Sequence, residues 1–220
     1  MKMGGELYLE NLESYAVSVR LFESCLAGAM EALMTAGEIG IILGEAWKAF
    51  VAILPEVPYI GGGDNPLTED LLGAAYEMGF YSLMEGRGWD LEEISRIDKA
   101  ASREMVRRKI AALGLEAARG FVLDGEALER GSEVFRKMAF PDNWVYEAVV
   151  PGANERFDTG INYTKCPIVG LYRKFGKEKL LPFICSNDFP VFEEMGISLE
   201  RSQTLAEGAP TCDFRFRKIG

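Results

Sequence analysis

Near residue 140 the hydrophobic period of this chain changes from that of an α-helix to that of a β-strand, and that change fixes the class of fold open to it. Ahead of it, Leu12, Tyr15, Ala16, Val19, Phe22, Leu26, Met30 and Leu33 recur at helical intervals, one stripe of an amphipathic helix. Gly37 and Gly40 are expected to interrupt that helix, and a shorter, more buried one follows from Ile41 to Leu54, stopping at Pro55. Pro55 to Pro66 reads as a loop. Its Gly61-Gly62-Gly63-Asp64 run lacks both the ending of a phosphate-binding loop and a dinucleotide fingerprint, so it is expected to be a flexible turn. Thr68, followed by Glu69 and Asp70, predicts an N-cap with first-turn acids. Behind it Leu71, Leu72, Ala75, Met78 and Leu83 form the apolar side of a helix. Asp90 is expected to cap the next one, and a short helix is expected from Gly125 to Ala139.

Beyond Pro141 the pattern is that of strands: Trp144 to Val150, Glu155 to Thr164, Ile197 to Leu205 and Thr211 to Lys218. In the second, Phe157, Ile161 and Tyr163 fall on one face, with Arg156, Asp158, Asn162 and Thr164 on the other. In the last, Cys212, Phe214 and Phe216 share the apolar face, opposite Asp213, Arg215 and Arg217. Short helices fit between the second and third strands. The prediction is a single α+β domain over residues 1–220. A helical layer (1–140) packs on an antiparallel sheet of about four strands (141–220), which also carries the candidate site.

The chain has no histidine, and so lacks the side chain that most readily carries protons near neutral pH. Chemistry must rest on thiols, carboxylates, lysine, arginine, tyrosine or hydroxyls. A net charge of −10 argues against a nucleic-acid partner and against an anionic membrane surface, leaving a small molecule or a protein. The amino-terminal Met1-Lys2-Met3-Gly4-Gly5-Glu6 has no apolar signal core, and the apolar stretch Ile39 to Leu54 is broken by Glu45 and Lys48. Four cysteines are too few for a disulfide scaffold, so a cytoplasmic protein with reduced thiols is expected.

Three of those cysteines lie late in the chain beside polar neighbours. Thr164-Lys165-Cys166-Pro167 reads as the opening of a helix, capped by Thr164, with Cys166 at its positive end beside Lys165. Both features favour the thiolate. The competing reading of Cys166 is a small buried hydrophobe where strand meets helix. Cys185 precedes Ser186-Asn187-Asp188, where Ser186 or Asn187 would cap a short helix. Asp188 is then either a first-turn acid or a general base. On the third strand Arg201 and Gln203 share a face with Ile197, Leu199 and Leu205. A buried guanidinium there suits a ligand carboxylate or an internal ion pair equally well. Cysteine spacings of 19 and 27 residues exclude compact Cys-x-x-Cys zinc or cluster motifs, though distant thiols could still meet around a metal. No cofactor is identifiable from these residues.

The order Asn162-x-Thr164-x-Cys166, Cys185-x-x-Asp188, then Arg201-x-x-Thr204-Leu205-Ala206-x-Gly208-Ala209-x-x-Cys212-Asp213-Phe214-Arg215 resembles the L-2-amino-thiazoline-4-carboxylic acid hydrolase family. The resemblance covers roughly residues 140–218 and is most specific from Gly208 to Arg215. It implies an enzyme that opens a thiazoline ring to an N-carbamoyl cysteine, acting on a cyclic carbon–nitrogen or amidine-like bond of a small carboxylate. On that reading water or the Cys166 thiolate attacks the ring carbon, Asp188 handles the proton and Asn162 stabilises developing charge. Arg201 or Arg215 then holds the substrate carboxylate. The same ending is also similar to the Gly-x-x-x-Cys-x-Phe close of 4-vinyl reductase-type domains. That likeness implies a ligand-binding or sensing module with no turnover, and with the late thiols it gives the alternative function: a non-catalytic small-ligand or metal-binding module using Cys166, Cys185 and Cys212.

Overall fold

Helix boundaries in the computed structural model, which describes residues 5–120, 122–138 and 140–219, follow capping chemistry more closely than the glycine pattern. The amino-terminal Met1 to Gly4 and Ala139 lie outside the described residues. A short helix α1 (Glu6–Glu10) leads into α2 (Leu12–Met30), whose Ala16, Val19, Phe22, Leu26 and Met30 are buried as the stripe predicts, whereas Leu33 lies past its end and is exposed. Helix α3 (Ala36–Ile53) begins earlier than expected. Thr35 and Glu38 form a reciprocal capping box, so Gly37 and Gly40 lie inside the helix and do not break it. Helix α4 (Thr68–Gly86) starts without the expected cap. Thr68 is its first residue, and the Thr68 hydroxyl donates to the Gly62 carbonyl at 2.7 Å, tying helix to loop. Asp90 does cap α5 (Leu91–Leu113), accepting from the Glu92 amide. Helices α6 (Leu115–Arg119) and α7 (Gly125–Lys137) complete the helical part.

The sheet is antiparallel in the order β1-β2-β4-β3, from β1 (Val145–Val149), β2 (Thr159–Lys165), β3 (Ile197–Glu200) and β4 (Cys212–Lys218). Between β2 and β3 run α8 (Pro167–Lys174), α9 (Leu181–Cys185) and α10 (Asp188–Glu194). The fold is thus α+β. All four strands are shorter than predicted, β2 and β3 by three residues or more. Residues 155–158 precede β2, and β3 ends at Glu200 because the amides of Ser202 and Gln203 turn away from the ladder to the Asp213 carboxylate, each at 2.9 Å.

Register settles which side chains face the helices. Tyr146 pairs with Tyr163, Tyr163 with Cys212 and Ile161 with Phe214, all on one face. Ring contacts run across that face from Phe135 of α7 through Tyr146, Tyr163, Phe214 and Phe216 to Phe192 of α10. Behind them α4 is the central helix, packed against α2, α3, α5 and α8. One continuous apolar core joins Tyr8 to Phe216. The opposite face carries Glu147, Asn162, Asp213 and Arg215. Among the described residues no helix is long and apolar enough to cross a membrane.

Candidate functional site

Strand β2 carries Tyr163 near its end and leads into Cys166, the residue between it and α8. Cys166 is the extended residue before α8, and Pro167 occupies a first-turn position where no amide is needed. Thr164 does not cap this helix. It belongs to β2, and its hydroxyl donates to the Val145 carbonyl across the strand pair. The thiolate expected at Cys166 is also corrected. Burial pushes this thiol up to about 11, outweighing the Ile168 and Val169 amides that favour the anion. Lys165 gives no help, because its ammonium donates to the Pro141 carbonyl.

The α9–α10 corner supplies Cys185, Asn187 and Asp188. Neither expected side-chain cap forms: Ser186 donates back to the Phe183 carbonyl, and Asn187 turns inward. Asp188 accepts a 2.6 Å hydrogen bond from Arg201 Nη1, while Arg201 Nη2 donates to the Cys185 carbonyl at 2.9 Å. The guanidinium lies between the Phe189 and Phe214 rings, 5.1 and 5.0 Å from their centroids. The internal ion pair is therefore the arrangement realised for Arg201. Its side chain is 6% exposed, against 38% for Asp188, so the carboxylate is the open half of the pair.

Arg201 is held in place by the residues that end the chain. Asp213 accepts from the Ser202 and Gln203 amides and from the Ser202 hydroxyl. Thr204 caps the turn Leu205–Glu207, Gly208 closes it at φ 87°, and Cys212 Sγ accepts from the Leu205 amide at 3.2 Å. Cys212 is buried beside Phe214 and Phe216, as expected of a core thiol. Burial raises Asp213, yet the donors from Ser202 and Gln203 win and hold it below the usual carboxylate range.

Opposite these residues α4 presents Asp70, Gly73 and Glu77. A side chain at Gly73 would meet no atom within 4 Å, so the helix surface there is open. Asp70 is exposed and Asp188 is 38% exposed, yet desolvation is the largest influence on each and raises both, Asp70 to about 6. Protein atoms crowd each carboxyl group while water still reaches it, as on the wall of a shallow recess. Charge interactions link Asp70 with Asp188, Tyr163 with both, and Cys166 with Asp188 and Cys212. Burial likewise raises Cys185 and Tyr163. The recess thus joins Asp70 and Glu77 of α4, Tyr163 and Cys166 at the β2–α8 junction, and Cys185, Asp188 and Arg201. At its back Asn187 Nδ2 donates to Asp98 Oδ2 (2.6 Å) and Glu77 Oε1 (3.2 Å), and the Tyr81 hydroxyl donates to Asp98 Oδ2 (2.8 Å).

Of the residues singled out in the sequence, the structure brings Cys166, Asp188 and Arg201 together. It does not bring Asn162 and Arg215 to them. Those two lie on the other sheet face, where Arg215 Nη1 donates to Asn162 Oδ1 at 3.0 Å and stacks over Phe157. Among the described residues no group of three or more Cys, Asp or Glu side chains is placed to hold a metal ion, so Cys166, Cys185 and Cys212 form no ligand set. The sequence reading missed Asp70, taken as a helix-end acid, and Glu77. Their signal was present: two acids seven residues apart, flanking Gly73 and Ala74, on a helix whose neighbouring positions are apolar.

Chemically, the recess offers carboxyl groups whose proton affinity burial raises, Asp70 to about 6, with Asp188 paired to a fixed cation, beside thiols that burial keeps protonated. A family model described as L-2-amino-thiazoline-4-carboxylic acid hydrolase matches residues 75–216, more than half of the chain. No curated protein and no solved structure matches it.

Proposed function

Since the chain belongs to the L-2-amino-thiazoline-4-carboxylic acid hydrolase family, we propose that it hydrolyses a small cyclic amidine bearing a carboxylate, 2-amino-thiazoline-4-carboxylate being the type. The reaction is placed in the recess between α4 and the helix-facing side of the sheet. The observation that carries this reading is Asp188: an accessible carboxylate of raised proton affinity, held by a buried Arg201, with Asp70 and Glu77 close by.

An amidine is a strong base, and acidic walls favour its protonated form, whose central carbon is the more electrophilic. Water attacks that carbon and Asp188 takes its proton. Opening to an N-carbamoyl cysteine then breaks the ring carbon–sulfur bond and frees a thiol. Water is the attacking group because Cys166 keeps its proton near neutral pH. Cys166 lines the wall beside the reacting carbon. Arg201 spends two of its guanidinium donors on Asp188 and the Cys185 carbonyl, and another binds the substrate carboxylate. Asn162 and Arg215 have no part in it.

Release of thiol from 2-amino-thiazoline-4-carboxylate, followed with a chromogenic disulfide, tests the reading. Wild-type protein should release thiol, and Asp188→Asn should lose about 10²-fold or more. No release by the wild type overturns it.

A further inference from the structure

We propose that Glu77 is the general acid of this site and that Asp98, sealed behind it, holds the proton on Glu77. The inference rests on the hydrolase reading above and adds a second residue to it. It begins from an unmet hydrogen bond. Asp98 is fully buried, and its Oδ2 accepts from both Tyr81 and Asn187, yet its Oδ1 is buried with no protein donor. An ionised oxygen left in that state is costly. Glu77 can supply the missing donor: its Oε1 shares the Asn187 amide with Asp98 Oδ2, at 3.2 and 2.6 Å, and two carboxyls held this close favour a proton on one of them.

The proton belongs on Glu77. Asp98 has two strong donors that favour its charged form, Tyr81 and Asn187, whereas Glu77 has only the longer contact from Asn187. Burial and the Asp98 charge push Glu77 well above the ordinary carboxyl range, while Asp98 sits at about 6. The groups facing Glu77 are Asp98 of α5, Asp188 and the Asn187 amide at α10, Tyr172 of α8, and Tyr81 of its own helix. None of these is a cation. On the far side of α4, Glu23 of α2 meets Tyr76 instead, and Glu45 of α3 pairs with Arg87. Glu77 is partly exposed and electrostatically linked to Asp188, so its proton can reach the recess, while the proton acceptor behind it cannot.

The step balances. Water's oxygen bonds to the protonated amidine carbon, and one water proton passes to Asp188. The ring carbon–sulfur bond breaks with its electron pair on sulfur, which takes the Glu77 proton. The hydroxyl proton released as the carbonyl forms restores Glu77. The proton on Asp188 leaves to solvent, matching the one the amidine brought in.

Two readouts test this on the full chain. In infrared difference spectra near neutral pH, wild type against Glu77→Gln should show one protonated-carboxyl stretch that the variant lacks. In turnover, Glu77→Gln should lower kcat by about 10²–10⁴-fold with little change in KM. Asp98→Asn removes the charge that holds the proton, so the alkaline limb of kcat should move to lower pH, a change that weakened folding alone would not give. Absence of the carboxyl band overturns the shared proton whether or not the protein is active. An active wild type whose Glu77→Gln variant keeps its kcat overturns the acid role and leaves the hydrolase reading standing. An inactive wild type overturns both roles in catalysis.

Discussion

Arg201 and Arg215 flank the same two strands, on opposite sides of one sheet, and differ in nearly everything that matters for chemistry. Arg201 is buried, stacked between two rings and paired with a carboxylate that is itself partly open. Arg215 lies half-buried on the outer face and donates to neutral oxygens, the Asn162 amide and its neighbour's carbonyl. On the helix-facing side the charge is fixed in a poorly solvated recess, where electrostatic effects are strong. On the outer side water screens them. The same residue type, just past the end of β3 in one place and within β4 in the other, thus faces the helices once and the outside once, and strand parity decides which.

The largest expected effect falls on the recess: Asp188→Asn should cost about 10²–10⁴-fold in turnover with the protein still folded, because the proton acceptor is gone. Loss of less than tenfold would break the contrast between the faces. Next comes the thiol. With Cys166 near 11, about one side chain in 10⁴ is ionised at neutral pH, and iodoacetamide labelling should accelerate about tenfold per pH unit up to that value. A plateau at neutral pH would restore the thiolate. Cys166→Ser should retain turnover within about tenfold, since water attacks. Abolition with the fold intact would make Cys166 the nucleophile.

A smaller effect concerns Asp70, whose folded value of about 6 lies above the ordinary 3.8. Stability from its neutral form is complete below the unfolded value and is lost as pH rises through about 6. Asp70→Asn should therefore match the wild-type Tm near pH 4 and exceed it at about pH 7.5, and equal Tm at both would show no burial cost. The smallest effect belongs to the outer face: Asn162→Ala and Arg215→Ala should each change turnover by less than about twofold.

Much of this was legible before the structure. The change of period at residue 140 marked helices ahead of a sheet, and the sequence singles out Cys166 by its place where strand meets helix, Asp188 as a first-turn acid and Arg201 as a cation on an apolar strand face. Parity also placed Asn162 opposite Ile161 and Tyr163, and Arg215 opposite Cys212 and Phe214; giving those two a share in the site ignored that signal. Other features depended on contacts between distant segments. Glu77 and Asp98 sit on helices whose apolar stripes draw attention away from them, and only the fold sets them against Asn187. The segment from Thr204 to Asp213, which overlaps the most specific part of the family resemblance (Gly208 to Arg215), turns out to be loop chemistry. Thr204, Gly208 and Asp213 shape the segment beside Arg201, and none of the three is in the recess wall described above.

The central claim is that ligand binds on the helix-facing side of the sheet. A crystal structure of Asp188→Asn, slowed in turnover, with 2-amino-thiazoline-4-carboxylate tests it most directly. The account predicts the ring within the recess, its amidine carbon beside residue 188 and its nitrogens toward Asp70 and Glu77. Ring density against Arg215 and Asn162 on the outer face, with the recess holding only water, would contradict it.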